Sequence, residues 1–435
     1  MTGAETGLAV PVLVGDLHLD APLPDLNGNG RYRGARLLTW LHGCPIGEVT
    51  LPLAQCPLPG AELASRVWTL IGDQIAAHCA ADGLPPPGQL PPGGLPRQDE
   101  PSCLASRRLL DAPKITVVLA TRDRTQSLLR CLDSLARVEY PVFDVVVVDS
   151  APSTGTTERA LSGPLDYRFP VSYLRAAQPG LAFAHNVALP AVTGEIVAFT
   201  DDDVEVDPGW LAALAAAFAG PDAVCVTGLI LPAELETRPQ LMVEQAGGYG
   251  RGFTRRTFCA AMPEPSPLFP FTAGRFGSGA NMAFRADWLA AQGGFDPATG
   301  AGSPARGGDD LTAFLRVITG GGTLVYEPAA VVRHWHRRDY QGMRRQSFGY
   351  GVGLGAYLTA SVRARPALLW AMLRRAIPAA RHLLGADSVK NAGRDETFPR
   401  GLVWRERAGV LVGPFAYAVS RWRYRNGTSG PGQTA

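Results

Sequence analysis

The chain reads as an α/β protein: a Rossmann-like, mostly parallel central sheet, preceded by a small αβ module and followed by a helical region. Three observations carry that reading. From Ile115 to Thr200 short apolar runs alternate with stretches of helical periodicity, the pattern of parallel strands joined by crossover helices. From Leu84 to Pro101 the sequence is LPPPGQLPPGGLPRQDEP; its prolines lack donors and its glycines loosen the backbone, so a boundary is expected and a packed element is not. At 435 residues with 46% hydrophobic content the chain exceeds one compact domain. The expected division is an N-terminal accessory αβ module at 1–83, a linker at 84–112, the main α/β domain at 113–340 and a helical, Arg-rich region at 341–435.

In the N-terminal module RLLTWLHGCPIGEVTLPL reads as two strands around a Gly-Cys-Pro turn, and AELASRVWTLIGDQIAAHCAADG has helical apolar spacing. His42 and His78 are read there as structural or solvent-facing. In the main domain ITVVLA (Ile115 to Ala120), FDVVVV (Phe143 to Val148), Val171 to Leu174 and EIVAFT (Glu195 to Thr200) are buried strands. Thr125 to Ala136 and Leu181 to Leu189 are helices. Beyond Tyr340, PALLWAMLRRAIPAARHLLG and AGVLVGPFAYAVSRWRYR are helical, Arg-rich and too short to span a bilayer, leaving packing on the main domain or contact with a lipid surface.

Composition excludes several classes. The net charge is +2, and no basic stripe interleaved with aromatics announces nucleic-acid binding. Seven cysteines without a CxxC suit reduced, buried thiols better than disulfides or a zinc site. No signal-peptide pattern or membrane span is visible, so the expected location is cytoplasmic, with peripheral contact at the inner membrane face as an option.

Chemistry concentrates at strand ends. Asp201, Asp202 and Asp203 follow an apolar strand, and adjacent carboxylates repel one another unless a cation neutralises them. Oxygen ligands point to Mg²⁺ or Mn²⁺. Thr121 to Arg124 and Asp149 end two other strands, where open α/β sheets bind ligands. Asp309 and Asp310 open a helix, a place where capping alone can explain one of them. His334 and His336 alternate on an expected strand and can share a face.

Lys114 to about Tyr340 resembles the family 2 glycosyltransferases, inverting enzymes with the GT-A fold. The motifs come in the family's order: VVLATRDR, VVVVDS, AFTDDDVEVDPGWL (the DXD region), GSGANMAFRADWLAAQGGFD, GGDDL (the ED motif) and VYEPAAVVRHWHRRD. The resemblance implies transfer of a sugar from a nucleoside-diphosphate sugar to a glycan, lipid-linked or small-molecule acceptor, in cell-surface polysaccharide or glycoconjugate biosynthesis. It implies Asp310 as the base that takes the acceptor's proton, with Asp309 beside it orienting the acceptor or capping the helix. Thr121, Arg122, Asp123, Asp149, Gly180, Asn186, Asp201 and Asp202 then serve the nucleotide sugar, although Asp202 is also expected to face away. Asn281 and Trp288 fall in the segment flanking the acceptor, and Asp203, Asp201, His334 and His336 are the metal candidates.

Two departures stand out: Thr312 replaces the last acid of the family's EDxD, and His185 replaces an arginine before Asn186. They leave room for a second reading, a non-catalytic sugar-nucleotide-binding protein or partner subunit. A nicotinamide enzyme is excluded, since no glycine follows Ala120 in TRDRTQS.

Overall fold

The computed structural model describes residues 8–53, 56–96, 101–105, 111–220, 222–385 and 398–427. In the N-terminal module β1 (Val12–His18) pairs parallel with β2 (Gly34–Leu41), which pairs antiparallel with β3 (Cys44–Pro52). The β2–β3 turn is His42–Gly43, both residues left-handed with φ of 54° and 69°, as a two-residue hairpin turn requires. The turn lies one residue earlier than Gly-Cys-Pro, and β1 was not anticipated. The helix Gly60–Ala81 covers the sheet with Leu63, Val67, Ile71 and Ile75.

The Pro/Gly-rich stretch forms no helix or strand from Leu84 to Pro96, but it is packed. Leu90 and Leu95 are buried in the module's core, and Leu95 N–H donates to the Leu19 carbonyl at 2.7 Å. Gly94 has φ of 83°, and a side chain there would lie 2.4 Å from the Ala21 carbonyl oxygen. The expectation of a segment without packing is corrected: its leucines find a groove, and backbone hydrogen bonds replace those of regular structure.

The main sheet contains β4 (Ile115–Thr121), β5 (Phe143–Ser150), β6 (Val171–Ala176), β7 (Ile196–Asp201), β8 (Val204–Val206), β9 (Ala223–Pro232), β10 (Arg256–Phe258), β11 (Asn281–Arg285) and β12 (Thr323–His334). Their order is β10-β12-β9-β11-β7-β4-β5-β6, with β8 on β12. β6, β5, β4 and β7 run parallel, β11 is antiparallel to β7 and β9, and β9 runs parallel to β12. The sheet is thus mostly parallel, as the alternation of strands and helices predicts. One face buries Leu128, Leu132 and Leu135 with Trp210 and Leu214; the other buries Ala182, Ala184, Ala313, Phe314 and Val317. Alternate residues of β4 and β5 feed the two layers, which is why their sequences are apolar throughout. From β4 the chain pairs outward to β5 on one side and β7 on the other, so a crevice opens at the carboxyl ends of these strands.

The N-terminal module rests on this sheet. Leu38 and Trp40 of β2 pack against Leu229, Leu231 and Val331, and Val12 N–H donates to the Leu235 carbonyl at 2.9 Å. C-terminally, the helices Tyr340–Ala364 and Arg400–Gly427 pack closely. A side chain on Gly413 would lie 2.5 Å from Gly355 Cα, and one on Gly351 1.9 Å from the Glu406 carbonyl oxygen, so the contact needs glycine on both helices. Among the described residues no helix is long and apolar enough to cross a membrane.

Candidate active site

The crevice is a cleft of about 740 Å³. Its floor is the ends of β4 and β7: register pairs Ala120 with Asp201 and Thr121 with Asp149, which sets three of the expected residues in one row. Asp201, Asp202 and Asp203 all line it, with Thr121, Arg122, Arg124, Gly180, His334 and Arg337. The far wall is the helix Tyr340–Ala364, which contributes Arg345, Gln346 and Tyr350.

Asp202 does not face away. It is buried, accepts from the Thr121 hydroxyl at 2.7 Å and pairs with Arg124 at 2.6 Å. Burial pushes its carboxyl up to about 6, against the pull of Arg124. Arg124 also pairs with Asp203, so one guanidinium supplies part of the positive charge that the triplet demands. Burial opposes ionisation of Asp203 too, yet His334 and Arg124 hold it well below the usual carboxylate range. For Asp201 the pull of Arg124 is outweighed: burial, Asp203 and Asp202 push its carboxyl well up.

Asp201, Asp203 and His334 each offer one ligand atom, all within 4.8 Å of one another. His336 is not among them. β12 ends at His334, so the two histidines do not alternate along one strand as expected. His336 is buried behind His334 with both ring nitrogens engaged: Nδ1 lies 2.9 Å from His334 Nδ1, and Nε2 lies 2.7 Å from Glu244. A carboxylate only accepts, so His336 donates to Glu244 through Nε2, and His334, held at Nδ1 by His336, sets its Nε2 3.4 Å from Asp203. Glu244 is in turn held by Arg36 of β2 at 2.9 Å. Burial would protonate Glu244, but Arg36 and His336 keep its carboxyl down at about 2. A residue of the N-terminal module thus anchors the far end of the chain that orients His334.

Asp149 is fully buried; its Oδ2 accepts from Tyr173 at 3.2 Å while its Oδ1 has no partner, and burial raises its pKa. Asp123, at φ of 53°, is spent on the Ser153 N–H at 2.9 Å. Gly180, at φ of 147°, lines the cleft where its N–H meets Ser150 Oγ at 3.3 Å.

Three expected contacts lie elsewhere. Asn186 clamps the main chain of Phe295, donating and accepting at 2.8 Å. Asn281 is fully buried, accepting from Trp210 at 2.9 Å and donating to Leu229 and Ala330. Trp288 stacks on Phe284 with ring centroids 6.0 Å apart. All three are packing residues, the two asparagine amides are satisfied internally, and none lines the cleft. The two departures from the family pattern also lie outside it. His185 is buried among Phe199 and Phe295, and burial holds it neutral with its pKa down to about 3. Thr312 donates to the Gly308 carbonyl at 2.6 Å.

Asp310 is part-exposed just behind the Ser278–Ala280 stretch that edges the cleft. Its two oxygens accept the N–H groups of Gly279 at 2.9 Å and Leu311 at 2.8 Å. Asp309 is buried with Oδ2 unpartnered, and burial followed by Asp310 pushes it up to about 7. Arg306, Arg337, Arg345 and Tyr249 were missed by sequence reasoning although they line the cleft. Arg337 sat beside the HxH, and Arg306 in the loop GAGSPARGG, where the many glycines were the available signal.

Residues 116–288 match the profile described as Glycosyl transferase family 2. A pre-mycofactocin glycosyltransferase of Mycobacterium tuberculosis is 27% identical over 278 residues, covering 61% of this chain and 54% of the relative. A glucosyl-dolichyl phosphate glucuronosyltransferase of Haloferax volcanii is 25% identical over 247 residues, covering 55% of this chain and 75% of the relative. Among solved structures, a mannosyltransferase from Pyrobaculum calidifontis in complex with GDP-Man and Mn²⁺ aligns with 74% of this chain and 77% of its own, at 20% identity and a TM-score of 0.41. The chain spans about half the length of its mycobacterial relative. From Thr116 to Trp288 the chain is thus similar to glycosyl transferase family 2.

Proposed function

We propose that the chain is an inverting glycosyltransferase that moves a sugar from a nucleoside diphosphate to an acceptor hydroxyl. The observation that carries this reading is the convergence, in one cleft, of Asp201, Asp203 and His334 with the guanidinium groups of Arg122, Arg124, Arg306, Arg337 and Arg345. Arginines match a diphosphate. The unpartnered Asp149 oxygen suits a ring N–H of the base. Two carboxylates and an imidazole lone pair fit a hard divalent ion, Mn²⁺ better than Mg²⁺ because of the nitrogen. Such an ion, when bound, neutralises the leaving diphosphate. Asp310 takes the acceptor's proton as its oxygen bonds to the anomeric carbon and the bond to the diphosphate breaks from the opposite face.

The acceptor side is the groove of about 590 Å³ that shares Gly302 and Arg306 with the cleft and continues along Phe348, Val352, Val412, Phe415 and Val419. Its apolar walls suit a lipid-linked acceptor of glycoconjugate synthesis, and the exposed Trp370, Trp404, Leu411 and Trp422, set among arginines, suit an anionic membrane surface. The test is transfer from UDP-, GDP- and dTDP-sugars to a polyprenyl phosphate and to free sugars. One donor is expected to give lipid-linked product, and Phe415→Glu to raise KM for the lipid about tenfold without changing donor affinity. Nucleotide-sugar binding with no transfer to any acceptor would leave the non-catalytic binder as the better reading.

Glu244→Gln tests the orientation of His334. An amide can donate as well as accept and carries no charge, so it neither holds the His336 proton nor pairs as strongly with Arg36, which keeps Glu48 at 2.8 Å; Mn²⁺ affinity is expected to fall roughly 10- to 100-fold, with metal-free nucleotide binding unchanged. Wild-type Mn²⁺ affinity in this variant would leave Glu244 with a purely structural part.

A further inference from the structure

A second cluster of ligand-type side chains lies in the N-terminal module, and the transferase reading makes no use of it. His42 stands in the β2–β3 turn and Cys44 opens β3. His78 and Asp82 lie one turn apart at the C-terminal end of the helix Gly60–Ala81, and Cys103 sits beyond the Pro/Gly-rich segment in the short helix Ser102–Ala105. Asp82 Oδ2 is their meeting point: His42 Nδ1 at 2.8 Å, Cys103 Sγ at 3.0 Å and His78 Nε2 at 3.2 Å. Cys103 Sγ lies 3.8 Å from His78 Nε2. One ligand atom from each of the four falls within 4.8 Å of all the others, and the Cys44 thiol is hydrogen-bonded to Cys103.

We infer that His42, His78, Asp82 and Cys103 form a structural zinc site. Metal–ligand bonds of about 2.0–2.3 Å in a tetrahedron set ligand atoms roughly 3.3–3.8 Å apart; Cys103 Sγ and His78 Nε2 already stand 3.8 Å apart, while the three contacts to Asp82 Oδ2, at 2.8, 3.0 and 3.2 Å, are hydrogen-bond lengths that an ion would open by about half an ångström or less. Two imidazoles, a carboxylate and a thiolate are the donor set of a borderline-soft ion, unlike the oxygen-rich set in the cleft. Four protein ligands leave no position open for water or substrate, so the role is structural. Cys44 then donates to the Cys103 thiolate from outside the shell. The ion joins Asp82 to Cys103, the two ends of the Pro/Gly-rich stretch, and pins that stretch to the module. The scattered cysteines gave no sequence signal because the site is assembled from three separate segments, each supplying one or two ligands.

Binding displaces the Cys103 proton. Because the ligand is the thiolate, zinc affinity is expected to rise with pH. The test is metal analysis of the full chain after exposure to Zn²⁺ and desalting. One zinc per chain is expected to be retained by the wild type and by Asp203→Ala in the cleft, and lost from Cys103→Ser and from His42→Ala. Should either variant fold poorly, Co²⁺ loading of the wild type replaces it: a thiolate-to-cobalt charge-transfer band is expected, together with a rise in Tm on adding Zn²⁺. A wild type that retains no zinc, shows no thiolate band with Co²⁺ and keeps the same Tm overturns the site and leaves a hydrogen-bonded anchor around Asp82. Zinc retained by the wild type but lost in Asp203→Ala would assign the ion to the cleft and equally overturn it.

Discussion

Replacing Asp310 by asparagine is expected to lower kcat roughly 10²- to 10⁴-fold while leaving donor affinity nearly constant. The substitution keeps the side chain's size but removes the proton acceptor. It also gives up one of the two N–H contacts, because an amide has a single acceptor oxygen for Gly279 and Leu311; that local loss is on the order of 1 kcal/mol and appears in Tm. A residue that only braces the helix start would show the Tm change with kcat close to wild type. Burial raises the pKa of Asp310, so the wild-type rate is expected to climb with pH above the ordinary carboxylate range, and this limb disappears in the variant. Asp309→Asn is the control and is expected to cost less activity. The folded-state pKa of Asp309 is raised to about 7. The native state therefore holds a proton that the unfolded chain has released, and stability falls as pH rises from the normal carboxylate range through about 7. Asp309→Asn is thus expected to raise Tm at pH 8 relative to wild type, with little gain at pH 4. A larger kcat loss in Asp309→Asn than in Asp310→Asn would move the base to the buried member of the pair.

Asp203→Ala is expected to erase the gain in nucleoside-diphosphate affinity that Mn²⁺ provides, leaving the same affinity with and without the ion. Asp203 is the point where the triplet meets His334 and Arg124. Without it only Asp201 and His334 remain to hold a cation, while Arg124 loses one partner and becomes freer to meet phosphate. Metal-independent binding therefore persists or rises slightly, which separates loss of the ion from loss of the fold. Calorimetry with UDP and GDP in the presence and absence of Mn²⁺ reads both effects. An unchanged Mn²⁺ dependence would remove Asp203 from the metal set.

The parts of this molecule that were legible in the sequence are those that local physics decides. β4, β5 and β7 are apolar because both of their faces are covered, and they end where polar residues begin, so Thr121, Asp149 and the Asp triplet could be placed at one sheet edge from pattern alone. Side-chain partners across the fold were not legible. Asn186 and Asn281 lie in segments that resemble the family's site, yet their amides satisfy buried main-chain groups and an indole. His336 is two residues from His334 but faces Glu244, on an element 92 residues away in sequence, and Arg36 enters from another module. Arg124 was placed at the strand end but its role was not legible, because a guanidinium that neutralises carboxylates 78 and 79 residues downstream leaves no periodic trace. The buried leucines of the Pro/Gly-rich stretch were hidden by the composition around them.

The most direct measurement of the central claim is calorimetric titration of the wild-type chain with nucleoside diphosphates, with and without Mn²⁺. A cleft built from Asp201, Asp203, His334 and the surrounding arginines is expected to bind one nucleoside diphosphate per chain, at least tenfold more tightly with the ion than without it, a difference of about 1.4 kcal/mol. Absence of binding to every nucleoside diphosphate, or equal affinity with and without the ion, would contradict a metal-assisted nucleotide-sugar site in this cleft.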